Sequence, residues 1–326
     1  MRRARRIVVR MAMIEVAGLT KSYGDKQVVR GVDLEIAEGE IFGILGPNGA
    51  GKTTTVECIG GLRRRDGGHV RVAGFDPADE GRGLREALGI QLQESRLPEK
   101  QTVGEAMRLY SSFYSAPRDW RELLDRLGMS GHEGTYFGKL SGGQKQRLSV
   151  ALALIGNPKV AILDELTTGL DPSARREVWG LLEDLKDTGV TLLLVSHFME
   201  EAERLCDRVA VIDDGRVVAL DTPADLATAV QADQRMSFIP TAAVDLHALA
   251  ALPDVHRVER TGERVLVTGT DNVASAVIIA LHEHGIACGK LRVDQPSLDD
   301  AFLALTHAPD LHVAATTEND SEGVRR

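Results

Sequence analysis

The stretch GPNGAGKT, residues 46–53, follows the apolar run GEIFGIL and leads into KTTTVECIGGL, so a glycine-rich turn stands between a predicted strand and a predicted helix. This order, with the pattern G-x-x-x-x-G-K-[ST], restricts the chain to folds that hold a phosphate at the first turn of a helix. Gly49 and Gly51 let backbone N–H groups close on phosphate, and Lys52 reaches its outer oxygens. The Thr53 hydroxyl is placed for a magnesium ion, and Thr54 for a further hydrogen bond to phosphate.

From Ile14 to about Asp221, short apolar strands such as KVAILDE and VTLLLVS alternate with amphipathic segments such as RREVWGLLEDLKDTG, which predicts an α/β domain with a largely parallel sheet. Between about Glu80 and Asn157 the strand signal disappears and helical stretches dominate, as in QTVGEAMRLYSSFYS and DWRELLDRLG. The expected organisation is a basic, disordered extension over residues 1–12, a body over 13–225 with a helical subdomain at about 80–157, a small α+β module over 235–306 and a disordered tail over 307–326. The module reads as a strand pair, a helix, a strand and a final helix.

Five arginines fall in the first ten residues. The remainder then carries 34 basic against 48 acidic residues, a balance that argues against a general nucleic-acid surface. Arg10 and Glu15 interrupt any signal-peptide core, and the translational start is expected at Met11 or Met13. No run approaches the roughly 18 apolar residues of a membrane span. Cys58, Cys206 and Cys288 form no C-x-x-C pair and are expected to be reduced thiols of a cytosolic chain.

Beyond the phosphate loop, KVAILDE ends in adjacent carboxylates. Asp164 is the expected magnesium partner, and Glu165 the group that takes a proton from water or orients it. His197 closes the next apolar strand, at the edge where open parallel sheets bind ligands, and is placed to reach a terminal phosphate. Gln91 and Gln93 in GIQLQES are not distinguished by their surroundings, and Tyr23 serves equally as a core aromatic or a stacking platform. In LSGGQ, Ser141 and Gln144 read as a capping box. That leaves Gly142 and Gly143 unexplained, because two glycines in a first helical turn cost about 2 kcal/mol against alanine. Bare backbone there suits an anion.

Taken in order, GPNGAGKT, LSGGQ, ILDE and SH resemble the ATP-binding subunits of ATP-binding-cassette (ABC) transporters over roughly residues 13–225. The resemblance implies a P-loop NTPase fold of the ABC type and ATP with Mg²⁺ as cofactors. It implies a nucleotide-contacting set of Tyr23, Gly46, Asn48, Gly49, Ala50, Gly51, Lys52, Thr53, Thr54, Ser141, Gly142, Gly143, Gln144 and Asp171. Tyr23 looks like the adenine-stacking residue, and Asp171 like the residue that crosses the dimer interface. Gln93, preferred over Gln91, looks like the glutamine linking magnesium and water to the membrane partner; the implied metal set is Thr53, Gln93 and Asp164, with Glu165, His197 and Gln93 catalytic.

The family usually has proline after the acidic pair, and here stands Leu166, which loosens the expected turn. The ending PSLDDAFLALT looks like that of drug-export ATPases related to daunorubicin resistance. In that group two ATPase subunits pair around two ATP molecules at the cytoplasmic face of the membrane and a separate permease carries the spans. A translation or DNA-repair ATPase of the same family is the alternative, disfavoured by the single cassette and the acidity. A GTPase is disfavoured by LSGGQ and by the lack of an N-K-x-D motif.

Overall fold

The computed structural model of the protein describes residues 12–79, 81–91, 97–186, 188–229, 233–294 and 297–307. The expected disordered segments fall almost wholly outside these residues. The described residues open with a long hairpin, β1 (Ala12–Tyr23) and β2 (Lys26–Ala37), followed by β3 (Ile41–Leu45), α1 (Lys52–Ile59) and β4 (Gly67–Val72). Strands β2, β1 and β4 form an antiparallel sheet in that order. Next come α2 (Arg82–Ala87), β5 (Leu88–Gln91), α3 (Val103–Ser111), α4 (Trp120–Arg126) and α5 (Gly142–Leu154).

The second half of the body alternates β6 (Val160–Asp164), α6 (Pro172–Lys186), β7 (Thr191–Val195), α7 (Met199–Leu205), β8 (Arg208–Asp213) and β9 (Arg216–Asp221), and closes with α8 (Pro223–Ala229). Its sheet runs β5-β6-β7-β3-β8-β9, parallel except for β9. Strands β3, β6 and β7 are buried along their whole length, as a parallel sheet covered on both faces requires. Phe42, Ile162 and Leu193 face the small sheet and α1, while Ile41, Ala161 and Leu192 face the cluster built on α3–α6.

The helical subdomain is therefore not free of strands. LGIQ is too short to show an alternation, yet it joins the parallel sheet as β5, in register with Val160–Leu163 of β6. Gly89 is required there, since a Cβ would sit 1.9 Å from the Ala153 carbonyl oxygen.

The remaining elements are β10 (Gln234–Pro240), α9 (Leu246–Ala250), β11 (Val255–Thr261), β12 (Arg264–Gly269), α10 (Val273–Glu283), β13 (Cys288–Asp294) and α11 (Leu298–His307). The run from β10 to β13 is a βαββαβ unit with antiparallel order β11-β12-β10-β13, the ferredoxin-like arrangement. Met236, Phe238, Val265, Val267 and Val277 give it a core of its own. The unit holds a strand, β10, and a helix, α9, beyond the expected strand pair, helix and strand, and the final helix does not pack with its neighbours in sequence. Instead Leu298, Phe302 and Leu305 of α11 pack with Met199, Ala202 and Leu226 of α7 and α8, back on the body.

Candidate nucleotide site

Gly46–Gly51 turn the chain from β3 into α1. A Cβ at Gly46 would meet the Ile212 carbonyl oxygen at 2.2 Å, and one at Gly51, where φ is +99°, would meet the Val28 oxygen at 2.6 Å. No other residue fits. Gly51 takes the N-cap position of α1 without a capping side chain, so the first N–H groups of α1 are left for a ligand. They border a cavity of about 480 Å³ lined by Val28, Asn48, Gly49, Gly51, Lys52, Thr53, Thr54, Glu165 and His197. Ala50 is buried behind it, its carbonyl accepting from the Gly215 N–H at 3.0 Å.

Lys52 is buried, and its Nζ donates to the carbonyls of Gly46 (2.7 Å) and Pro47 (2.9 Å). Burial pulls its pKa below the ordinary lysine value, against the pull of the Glu165 and Asp164 carboxylates. Asp164 ends β6 beside it. Burial and then the Glu165 charge push its pKa up to about 6, with Lys52 opposing. Asp164 Oδ1 is buried with no hydrogen-bond partner among the described residues. A buried carboxylate oxygen of this kind fits a divalent cation, which needs few protein ligands when phosphate supplies the rest. No group of three or more His, Cys, Asp or Glu residues forms a metal cage among the described residues.

Glu165 adopts φ +48°, a left-handed conformation costly for a residue with a side chain, and its N–H donates to the Val195 carbonyl at 2.9 Å. Its carboxylate lies 3.6 Å from His197 Nδ1 and accepts from Thr168 Oγ1 at 3.5 Å. Leu166, in place of proline, is buried against the helical cluster. Asp171 caps α6, its Oδ1 accepting from the N–H groups of Ser173 (2.9 Å) and Ala174 (3.0 Å), and its side chain stays exposed.

Ser141 and Gln144 form the capping box of α5: Ser141 Oγ accepts from the Gln144 N–H at 3.3 Å, and Gln144 Oε1 from the Ser141 N–H at 2.9 Å. His132, which carried no sequence signal, holds the Gln144 amide at 3.2 Å. A Cβ on Gly142 would meet only Leu170 Cδ2 at 3.5 Å, and one on Gly143 only Ala174 Cβ at 3.4 Å. Packing within the chain therefore does not demand these glycines.

None of Ser141, Gly142, Gly143 or Gln144 lines the cavity at the phosphate loop. Tyr23 does not line it either; its exposed ring carries the Arg63 guanidinium at 5.2 Å and Lys21 Nζ at 5.9 Å. Gln93 lies outside the described residues, while Gln91 is buried at the end of β5. Val28, which does line the cavity, belongs to no motif and is brought there by β2.

The family described as "ABC transporter" matches residues 29–168. Daunorubicin resistance ATP-binding protein DrrA3 of Streptomyces coeruleorubidus is 37% identical over 301 residues, covering 90% of this chain and 95% of that protein. Nod factor export ATP-binding protein I of Rhizobium sp. (strain N33) is 38% identical over 298 residues, 90% of this chain and 96% of that protein. The fold superposes on a dimeric post-hydrolysis state of the ATP-binding cassette MJ0796 bound to ADP and Pi, with a TM-score of 0.58 and 27% identity over 64% of this chain and 98% of that one. Likeness over nearly the full length of both ATP-binding proteins extends past the cassette, and the chain belongs to the ATP-binding subunits of ABC transporters, enzymes that hydrolyse ATP.

Proposed function

We propose that two such subunits, identical or paired, close head to tail around two ATP molecules at the cytoplasmic face of a membrane and drive a separate permease that exports a drug, an antibiotic or a lipid-like compound. The observation that carries this reading is the separation of the two half-sites. The phosphate loop borders a cavity that the signature does not line, and the signature presents a glycine-led helix start that packing within the chain does not require. A second chain supplies the missing half.

On this reading the backbone of Gly49–Thr53 and the Lys52 ammonium hold the β- and γ-phosphates, and Tyr23 offers its face to the adenine. Thr53, Asp164 and Gln93 would hold Mg²⁺, which would supply neutralisation of charge on the phosphate oxygens. Glu165 takes the proton of the attacking water, and His197, at 3.6 Å, holds the γ-phosphate in line with it. Asp171 reaches across the interface, its exposed capping position leaving one carboxylate oxygen for the partner.

No helix among the described residues is long and apolar enough to cross a membrane, and the paired-polypeptide arrangement supplies the spans from outside. A groove of about 520 Å³ lined by Leu62, Leu84, Ile90, Phe113, Tyr114 and neighbours suits a short apolar helix of the permease. Phe113 on its rim is 63% exposed. Ile90 of β5 ties the groove to the strand that leads toward Gln93. Two relatives named for drug resistance and for Nod factor export support the direction of transport.

The test is co-expression with multi-span proteins encoded beside this chain. Co-purification of one of them, with its transport substrate stimulating ATP hydrolysis, is the expected outcome; recovery on ribosomes or DNA and never with a membrane partner overturns the reading.

A further inference from the structure

Glu201, in the first turn of α7, is 3% exposed, and a carboxylate at that depth needs hydrogen-bond donors. It has two. Its Oε1 accepts from Thr167 Oγ1 at 3.0 Å and from Trp179 Nε1 at 3.0 Å, and both donors are themselves buried. Thr167 stands two residues beyond Glu165. Trp179 lies on α6, the helix that Asp171 caps, and Glu201 itself follows four residues after His197.

One carboxylate oxygen thus joins the turn carrying Glu165 to the helices that follow Asp171 and His197. Neighbouring contacts lace the same two helices: the Arg175 guanidinium lies 4.1 Å over the Phe198 ring, and Arg204 bonds both oxygens of Glu183, at 2.8 and 3.1 Å. The turn also lacks the proline that fixes φ in the family pattern and holds Glu165 at a positive φ, so it needs restraint from elsewhere. Without an acceptor at Glu201 the buried Thr167 hydroxyl and Trp179 N–H would both be left unsatisfied, and the two directional bonds to one oxygen also fix position.

We infer that Glu201 is a positioning residue for ATP hydrolysis, a brace that replaces the proline and couples the Glu165 turn to α6 and α7. The inference rests on the roles proposed above for Glu165, Asp171 and His197.

The test compares Glu201→Leu, which removes the acceptor, with Glu201→Gln, whose amide oxygen keeps it, in the full-length chain. Glu201→Leu is expected to lower kcat about tenfold or more while leaving KM for ATP within about threefold, and Glu201→Gln to restore kcat to within about threefold of wild type. Glu201→Leu is expected to lower the urea midpoint, so both variants are assayed without denaturant, where in a fully folded variant a fall in kcat reports position rather than unfolding. Wild-type turnover in Glu201→Leu, or equal losses in both variants, overturns the inference. Should Glu201→Leu fail to fold, Thr167→Val, which deletes one of the two bonds, decides: a fall in kcat at constant KM supports the brace, and unchanged kcat overturns it. Glu165→Gln assayed alongside separates the two failures, since wild-type turnover there would sink the assignment of Glu165 whatever Glu201 does.

Discussion

His197 Nδ1 lies 3.6 Å from Glu165 Oε1, across the ends of two hydrogen-bonded parallel strands. Glu165→Gln is expected to lower kcat by about 10²-fold or more while nucleotide affinity holds, because the amide keeps the shape and loses the proposed base. His197→Ala should act in the same direction. Steady-state hydrolysis together with titration of a fluorescent ATP analogue checks both.

The pKa of Asp164, raised from 3.8 to about 6, has a consequence for stability. The folded chain binds the extra proton between about pH 4 and 6, so stability is fullest at the acid end of that window and is lost as pH rises through about 6, by about 3 kcal/mol. Asp164→Asn should therefore raise the urea midpoint at pH 7.5, with the gain vanishing near pH 4, while abolishing hydrolysis. In the wild type, chelating divalent cations should stop turnover, and kcat/KM should fall below about pH 6 as Asp164 takes up its proton.

Gly142→Asp tests the partner-facing helix start. A Cβ there meets only Leu170 Cδ2 at 3.5 Å on an exposed position, and a carboxylate in a first helical turn favours the isolated helix by about 0.3–1 kcal/mol, so Tm should hold or rise. In the proposed dimer the same charge would meet the γ-phosphate held by the second subunit. Size-exclusion chromatography with ATP, in a Glu165→Gln background, should show the dimer lost and monomer ATP binding kept.

Phe113→Asp places a charge on the rim of the apolar groove, away from the phosphate cavity. Basal hydrolysis of the isolated subunit should stay within about twofold, a change of less than about 0.5 kcal/mol in the barrier. Co-purification with the permease should be lost.

Leu298 is fully buried where α11 meets α7 and α8. Leu298→Ala should lower unfolding stability by about 2–5 kcal/mol in urea titrations that follow the body rather than the module.

The phosphate loop, the acidic strand end and the capping box of α5 were readable from residue order because each is local: a turn, a strand terminus, a helix start. The edge strand β5 was not, since four residues carry no periodicity and its partner, β6, lies some seventy positions away. The same holds for Val28, which reaches the cavity only through the pairing of β1 with β2, and for Glu201, whose two donors come from other elements. Leu166 shows the converse. As sequence it removed a constraint, and in the fold its side chain is buried in the core cluster under the helices, which is a constraint of another kind.

Helix α11 returns to the body after the βαββαβ unit has closed on its own core. The small unit is therefore an insertion between α8 and α11, held at both ends, and not an appendage. A stop codon after α8 would strip away Leu298, Phe302 and Leu305 and leave Met199, Ala202 and Leu226 facing water. Excision of the unit calls for a short bridge from Ala229 to Ser297 that keeps α11, and only that variant separates what the unit does from what its exit helix covers.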